Sequence, residues 1–192
     1  MPKAPNHAEA VQLLHKYTSS ESLIHHALAV EAVMKHFAEY FQENDPEKWA
    51  IIGLVHDLDY ELYPDQHCIK VHDLLTAEGW PEEYIRAIQS HGWELTVDIK
   101  PEHQMEKVLY TIDELTGLIN ATAILRPSRS VMDLGVKSVK KKWKQNGFAV
   151  GVNRDVIARG VEMLGMELDQ IIEETIKGMQ KVAGEIGLKG EY

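Results

Sequence analysis

The sequence predicts an all-α fold, and three observations support that prediction. Residues that start and stop helices recur along most of the 192 residues. Apolar residues repeat at helical spacing, whereas the alternating pattern of a β-strand is nearly absent. A hydrophobic content of 44% is enough for a sizeable core. We expect one domain over residues 1–192, with about five core helices over 18–125 and a C-terminal helical extension over 126–192.

Capping residues mark the start of the first two predicted helices. Thr18 and Glu21 form a candidate capping box, with Ser19 as an alternative N-cap, for a helix that continues to about residue 42. Asp45, followed by proline, is an N-cap signal for a second helix. The apolar stretch WAIIGLVHDL is expected to continue this second helix to about residue 60.

Prolines and glycines delimit the remaining helices. Pro64 and Asp65 start a helix that ends at Gly79, and Pro81 starts one that stops at Gly92. A loop over 93–102 precedes a long helix over about 103–125, which ends before the Arg-Pro pair at 126–127. The extension is expected to contain four shorter helices, over about 129–135, 136–145, 153–164 and 167–187, with Asn153 or Asp155 as caps and Gly165 as a C-terminal stop.

The composition argues against several classes of function. A formal net charge of −10 disfavours broad binding to nucleic acid or to anionic membranes, because both require a positive surface. The single cysteine, Cys68, excludes an intrachain disulfide framework. No apolar stretch is long enough for a signal peptide or a transmembrane helix. We therefore expect a cytoplasmic protein, and the sequence leaves its oligomeric state open.

Helical periodicity separates an inward histidine from an outward one. His26 shares a helical face with Val30 and Val33, so its side chain is expected to point into the bundle. His25 shares a weaker and more polar face, and we expect its side chain at the surface.

Two adjacent polar residues, His56 and Asp57, end the apolar stretch IIGLVHDLDY, where the pattern favours core. Gly53 precedes Asp57 by one turn and leaves room beside its carboxylate. An unpaired buried carboxylate would be costly, so the doublet implies a nearby metal, arginine or set of donors. On the long helix, Asp113 borders the apolar stripe, whereas the competing acid Glu114 falls further round.

Each of these residues taken alone has an ordinary structural explanation, as a core histidine, a helix cap or half of an ion pair. Together, His26, His56, Asp57 and Asp113 lie on three predicted helices, all near inward faces. The cores of helical bundles bring such residues together in metal sites. A mixture of imidazole and carboxylate suits Zn, Mn, Fe or Mg without choosing among them.

In its ordered motif, the sequence resembles the HD superfamily of metal-dependent phosphohydrolases. The family pattern is an early histidine, a His-Asp doublet at a helix end and a later aspartate. His26, His56-Asp57 and Asp113 match it in order, and the resemblance covers about residues 18–125. The resemblance implies an all-α fold in which these four residues hold a divalent metal that activates water and polarises a phosphoryl oxygen. Further phrases resemble a subgroup of uncharacterised HD-domain proteins: HALAVEAVM, LVHDLDYELYPDQH, AIQSHGWEL and TIDELTGLI.

Some HD families hold a second metal through two further histidines, and His67 and His91 stand at those positions. The resemblance then implies a bridging Asp57, so that the second metal has Asp57, His67 and His91 as its protein ligands. The sequence departs from the two-metal phosphodiesterase branch, because Gly92 replaces a second adjacent histidine and the GYP-type signature is absent. With one metal, His67 and His91 would orient phosphate or donate a proton.

The resemblance thus identifies Asp57, His67 and His91 as the expected catalytic residues. Asp59 is expected to lie on a different face from Asp57, at the helix end or in support of the ligands. His72 falls on the other side of its helix from His67, and we expect its side chain at the surface.

A basic segment, residues 126–144, follows the core and carries seven basic residues against one acid. Its charges have an ordinary explanation as a solvated helical face. A functional interpretation is that Arg126 and Arg129 bind substrate phosphate, since guanidinium binds phosphate bidentately. Lys137 and Lys141 are four residues apart and share a helical face, which makes them further candidates.

Three functions are open to the sequence. The complete set of four ligands favours a phosphohydrolase acting on a small phosphate ester, such as a nucleotide. The alternatives are a nucleotide-binding or signalling module without turnover and, with less support, a di-iron oxygenase that needs a well-populated second site. The substrate and the identity of the metal are not specified by these motifs.

Overall fold

The computed structural model describes residues 4–145 and 147–190, and its regular elements are helices. The all-α prediction is confirmed. An isolated bridge between Trp93 and Val97 lies within the loop predicted over 93–102. The first three residues of the expected domain, Asn146 and the last two residues lie outside the described part. The helices are α1 (His7–Tyr17), α2 (Glu21–Tyr40), α3 (Pro46–Leu54), α4 (Lys70–Ala77), α5 (Glu82–Gln89), α6 (Gln104–Ile124), α7 (Val136–Trp143), α8 (Arg154–Leu164) and α9 (Leu168–Lys181).

Helix α2 lies at the centre of the packing, against α3, α6 and α9. The face predicted to point inward is buried, since Val30 and Val33 are fully inaccessible to solvent. Gly53 lets α3 approach α2 closely, because a Cβ atom there would lie 2.9 Å from Cγ of Met34. Gly178 does the same for α9, where a Cβ atom would lie 2.8 Å from Cα of Val33. The C-terminal third therefore packs onto the same core as the predicted bundle.

The end of α3 differs from the prediction, because the helix stops at Leu54 and does not continue to residue 60. Nδ1 of His56 lies 2.8 Å from the Gly53 carbonyl oxygen. In a continued helix, that oxygen would accept from the Asp57 amide. The ring of His56 takes that acceptor instead, and the His-Asp doublet lies in the turn that follows α3.

The helix predicted between Pro64 and Gly79 is interrupted. A 3-10 turn over Pro64–Gln66 is separated from α4 by residues 67–69, and Cys68 adopts a positive φ of 63°. A left-handed backbone is uncommon for residues other than glycine, and no turn residue in the local sequence predicts it at Cys68. His67 thus lies in a break between helices instead of on a helix. Likewise, α5 ends at Gln89, and His91 lies in the short 3-10 turn Ser90–Gly92.

One helix was missed, and three further predictions need correction. Helix α1 was not predicted, although a capping box of Asn6 and Glu9 starts it. The predicted capping box at Thr18 does not form, because the Glu61 carboxylate accepts from the amides of Ser19 and Ser20. Residues 129–135 are irregular and not helical, and α9 ends at Lys181 and not at 187.

Other boundaries agree with the sequence. The Asp45 side chain caps α3 by accepting from the Lys48 amide at 3.0 Å. Asn153 caps α8, and Gly165 ends it in the left-handed conformation with φ of 63°. Within the described residues, no helix combines the length and apolar character needed to span a bilayer.

Candidate metal centre

Four predicted ligands converge where α2, the turn after α3, and α6 meet. His26 comes from α2, His56 and Asp57 from the turn, and Asp113 from α6. One donor atom from each of the four lies within 4.8 Å of the others. We refer to these four residues as the histidine–aspartate tetrad. The chain brings them together from positions 87 residues apart in sequence.

Distances within the tetrad match those between ligands of one ion. Nε2 of His26 lies 2.9 Å from Oδ1 of Asp113 and 3.6 Å from Oδ2 of Asp57. Nε2 of His56 lies 3.4 Å from Oδ1 of Asp57 and 3.4 Å from Oδ1 of Asp113. Neighbouring ligands about 2.1 Å from a common ion are roughly 3.0–3.5 Å apart, so the tetrad fits a divalent cation.

The His56 ring is oriented as a metal ligand requires. Its Nδ1–H donates to the Gly53 carbonyl, which leaves Nε2 as the nitrogen that carries the lone pair in the neutral ring. That Nε2 is fully buried and has no hydrogen-bond partner within the described residues. A buried polar atom without a partner is costly, and a cation held between His56 and the two carboxylates would satisfy it.

A second group of donors adjoins the tetrad and consists of His67, Cys68 and His91. The Nε2 atoms of His67 and His91 are 3.2 Å apart. Oδ1 of Asp57 lies 3.6 Å from Nε2 of His67 and 3.5 Å from Nε2 of His91. The structure therefore brings His67 and His91 to the same cleft, with Asp57 between the two groups.

Buried hydrogen bonds hold the rings of the second group. Asp59 is fully buried; its Oδ1 accepts from Nδ1 of His67 at 2.9 Å, and its Oδ2 accepts from the Val71 amide at 2.7 Å. Nδ1 of His91 donates to the Ile88 carbonyl at 2.5 Å. Each ring consequently directs Nε2 towards Asp57. The sequence predicted Asp59 either at the helix end or in support of the ligands, and in the structure it supports His67.

Charges in the tetrad compensate one another. Burial disfavours a charge on His56, but the carboxylates of Asp57 and Asp113 outweigh burial and raise the pKa of His56 to about 10. Burial raises the pKa of Asp57, yet the His56 charge outweighs it and holds that pKa well below the usual value. The pKa of Asp113 is also lowered, since its bond to His26 and the nearby His56 ring outweigh burial.

The second group is polarised in the same way. Burial opposes the charge on His67, but its bond to Asp59 raises its pKa to about 9. Burial likewise opposes the charge on His91, which Cys68 and Asp57 nevertheless hold at a pKa well above normal. Burial raises the pKa of the Cys68 thiol, whereas His91 and His67 outweigh it and lower that pKa to about 7.

Other candidate residues lie in different surroundings. Glu114 accepts from the Asn153 amide at 2.9 Å, so this acid ties α6 to the start of α8. His72 is paired loosely with Asp73, and its side chain is 45% exposed. His25 is partly exposed, with Nε2 3.8 Å from Glu21.

The basic segment does not contribute to either group of donors among the described residues. Arg126 is bonded to Asp133 at 2.7 Å. Arg129 is exposed in a turn with a φ of 46°. Lys137 and Lys141 are exposed on α7 and line a surface depression together with Lys140, Lys144 and Asp169.

Sequence reasoning missed two residues of this cleft. The composition uses Cys68 only to exclude a disulfide framework, although its position directly after His67 is a usable signal. Tyr60 places its ring edge-on against His67, with centroids 5.2 Å apart, and is 46% exposed at the rim. No motif singles out Tyr60, because its contact depends on the turn that follows Asp57.

Comparison with protein families gives one match. The family model described as HD domain matches residues 23–141, which is more than half of the chain and includes the tetrad and the second group. Comparisons with curated proteins and with solved structures gave no significant match.

Proposed function

The chain belongs to the HD-domain family, whose members are generally metal-dependent hydrolases, and we propose that it hydrolyses a small phosphate ester such as a nucleotide. The observation that carries the proposal is the tetrad of His26, His56, Asp57 and Asp113, with its unpartnered buried nitrogen. Buried charged and polar groups of this kind need a counterpart, and a divalent cation suits both imidazole and carboxylate.

In this proposal, the tetrad residues hold the cation. A divalent cation bound there would supply Lewis-acid activation of water and of a phosphoryl oxygen. Asp57 occupies the centre, because its Oδ1 faces His56, His67 and His91 while its Oδ2 faces His26. This position lets Asp57 orient groups on both sides of the cleft.

His67 and His91 have the second role in the reaction. Their raised pKa values favour the charged rings, which attract a phosphoryl group and can donate from Nε2. Asp59 and the Ile88 carbonyl fix both rings, so little reorganisation is needed when substrate binds. Alternatively, the two rings and Asp57 hold a second cation, and metal stoichiometry separates these two roles.

We further propose that the basic segment attracts the phosphorylated substrate. Arg129, Lys137 and Lys141 support this role through their exposure, which leaves them accessible to a ligand. Arg126 is the weaker candidate, because its guanidinium is already engaged by Asp133.

A metal analysis coupled to a broad phosphoester screen tests the proposal. Wild type and His72→Ala are expected to contain metal and to hydrolyse the same substrate, since His72 lies outside both donor groups. Asp57→Ala is expected to lose metal and to reduce hydrolysis by at least roughly a thousandfold. Hydrolysis unchanged by Asp57→Ala on every substrate would refute the proposal. Nucleotide binding without turnover would support the signalling alternative, and iron-dependent oxygen consumption would support the oxygenase.

A further inference from the structure

We propose that Cys68 is a thiolate ligand in a second metal site, which it forms with His67, His91 and Asp57. The site would bind a thiophilic divalent cation such as Zn²⁺ in preference to Mg²⁺. The inference deepens the proposed function, because it assigns a ligand set and a class of metal to a second site. It rests on the proposed function, in which Asp57 belongs to the tetrad and is shared between the two sites.

Four of the distances between these donor atoms match the spacing of ligands around one ion. Sγ of Cys68 lies 3.3 Å from Nε2 of His91, which lies 3.2 Å from Nε2 of His67. Oδ1 of Asp57 is 3.5 Å from the His91 nitrogen and 3.6 Å from the His67 nitrogen. Tetrahedral zinc with nitrogen and oxygen about 2.0–2.1 Å away and sulfur about 2.3 Å away separates its ligands by roughly 3.3–3.7 Å.

The backbone around the cysteine is arranged so that the sulfur reaches these rings. Cys68 is fully buried, and the Gln89 side chain donates to its carbonyl oxygen at 3.0 Å. Gly92, the residue after His91, leaves the required space, since a Cβ atom there would lie 2.6 Å from Sγ of Cys68. The sulfur thus occupies space beside His91 that a larger residue at 92 would fill.

The adjoining tetrad supports an ion beside the shared Asp57. Nε2 of His56 is buried without a hydrogen-bond partner among the described residues, and it lies 3.4 Å from the same Asp57 oxygen that faces His67 and His91. The alternative is that Cys68 is a buried apolar side chain, which is common for free cysteines. Against this alternative, the sulfur lies beside the rings of His67 and His91. Nδ1 of His67 is held by Asp59 and Nδ1 of His91 by a backbone carbonyl, as is usual for metal-ligating histidines.

The thiolate decides the class of metal. Thiolate and imidazole ligands select zinc, iron or copper, whereas magnesium prefers carboxylate, carbonyl and water oxygens. When the cation binds, the Cys68 thiol releases its proton to solvent and the sulfur lone pair forms the bond to the metal. The tetrad contains no sulfur, so the two sites are expected to differ in metal preference.

Cobalt substitution tests the assignment without reference to activity. Metal-free protein is titrated with Co²⁺, and a thiolate-to-cobalt charge-transfer absorption is expected; because the chain has a single cysteine, only Cys68 can produce it. Cys68→Ser is expected to lose this absorption and to bind one equivalent of Zn²⁺ fewer than wild type. His72→Ala is the matched control, and its absorption should equal that of wild type. Absence of the absorption in wild type, or its persistence in Cys68→Ser, would overturn the proposal.

A second measurement on the wild-type protein covers the case in which Cys68→Ser fails to fold. Reaction of the thiol with a disulfide reagent under partly denaturing conditions is expected to slow at least about tenfold with Zn²⁺ and to change little with Mg²⁺. Equal rates with and without Zn²⁺ would refute ligation by Cys68. Failure of the proposed hydrolysis would appear separately, in the response of turnover to Asp57→Ala.

Discussion

Two charged regions of this protein differ in how far the fold determines their geometry. In the cleft around Asp57, charged groups are buried or partly buried, and each faces partners of opposite charge or a fixed carbonyl. In the basic segment, residues 126–144, the charges are mostly exposed, and two ion pairs each join one basic residue to one acid: Arg126 to Asp133 and Lys140 to Asp169. Burial makes an unpaired charge costly, so the first region has a defined arrangement that implies a ligand. Exposed charges cost little wherever they lie, and they indicate function only weakly.

Removal of a buried ligand is expected to have the largest effect. His56→Ala should abolish metal binding at the tetrad and lower turnover by about a thousandfold or more, because His56 supplies a fully buried donor. Metal content by mass spectrometry and steady-state kinetics check this. For Lys141→Ala, on the exposed face of α7, we expect unchanged metal binding and only a minor loss of turnover. Loss of metal in that variant would contradict the difference between the two regions.

Removal of a buried supporting charge is expected to cost less. Asp59→Asn weakens the bond that orients His67, and the second-site metal affinity or turnover should fall about 10- to 100-fold. The matched control is Asp73→Asn, whose carboxylate is exposed and pairs with Lys70. Equal affinity of both variants, measured by competition with a chelator, would show that burial of Asp59 has no role in the site.

Metal binding is expected to depend on pH. The pKa values of His56 and His67 are raised to about 10 and about 9, so these rings are charged at neutral pH before a cation binds. Ligation requires the neutral ring, so protons are released and the apparent metal affinity rises with pH. Calorimetry in buffers of different ionisation enthalpy, from about pH 6 to about pH 8, measures the protons released. An affinity that stays constant over this range would contradict the charge compensation described for the cleft.

Packing between α2 and α3 should couple stability to the site. In Gly53→Ala, the new Cβ atom meets Met34 at 2.9 Å and the Val30 carbonyl oxygen at 3.0 Å, so one of the two helices must shift. We expect the free energy of unfolding to fall by about 1–3 kcal/mol, with weaker metal binding because α3 positions His56 and Asp57. Gly135→Ala is the control, since no heavy atom lies within 4 Å of a Cβ atom there. Urea unfolding gives the comparison, and equal midpoints for both variants would refute the packing argument.

The smallest effects are expected in the basic segment. The double variant Lys137→Ala/Lys141→Ala should raise KM by roughly two- to tenfold, with kcat and metal content unchanged, since exposed charges are screened by solvent. The increase should shrink at high salt. A KM equal to that of wild type at low salt would remove these lysines from the phosphate-binding proposal.

The sequence alone indicated the helical class and the four tetrad residues. Helical periodicity is local, so the inward position of His26 on α2 and the position of Asp113 beside the apolar stripe of α6 could be read from spacing. The HD resemblance added the order of the ligands and the two further histidines, and the match of the HD family model over residues 23–141 agrees with it. Caps with a direct chemical signal, Asp45 and Asn153, were also predictable.

Tertiary contacts decided the breaks between helices, and with them the second group of donors. A local contact ends α3, because the His56 ring takes the Gly53 carbonyl. A longer-range contact positions the start of α4, because buried Asp59 accepts from the Val71 amide. On an ideal helix, Asp59 would point away from Asp57. Because the chain turns there, Asp59 instead reaches His67, and Cys68 is placed against His91. Periodicity cannot report the contacts of Asp59 and Cys68, since they join residues 8, 12 and 23 positions apart across breaks between helices.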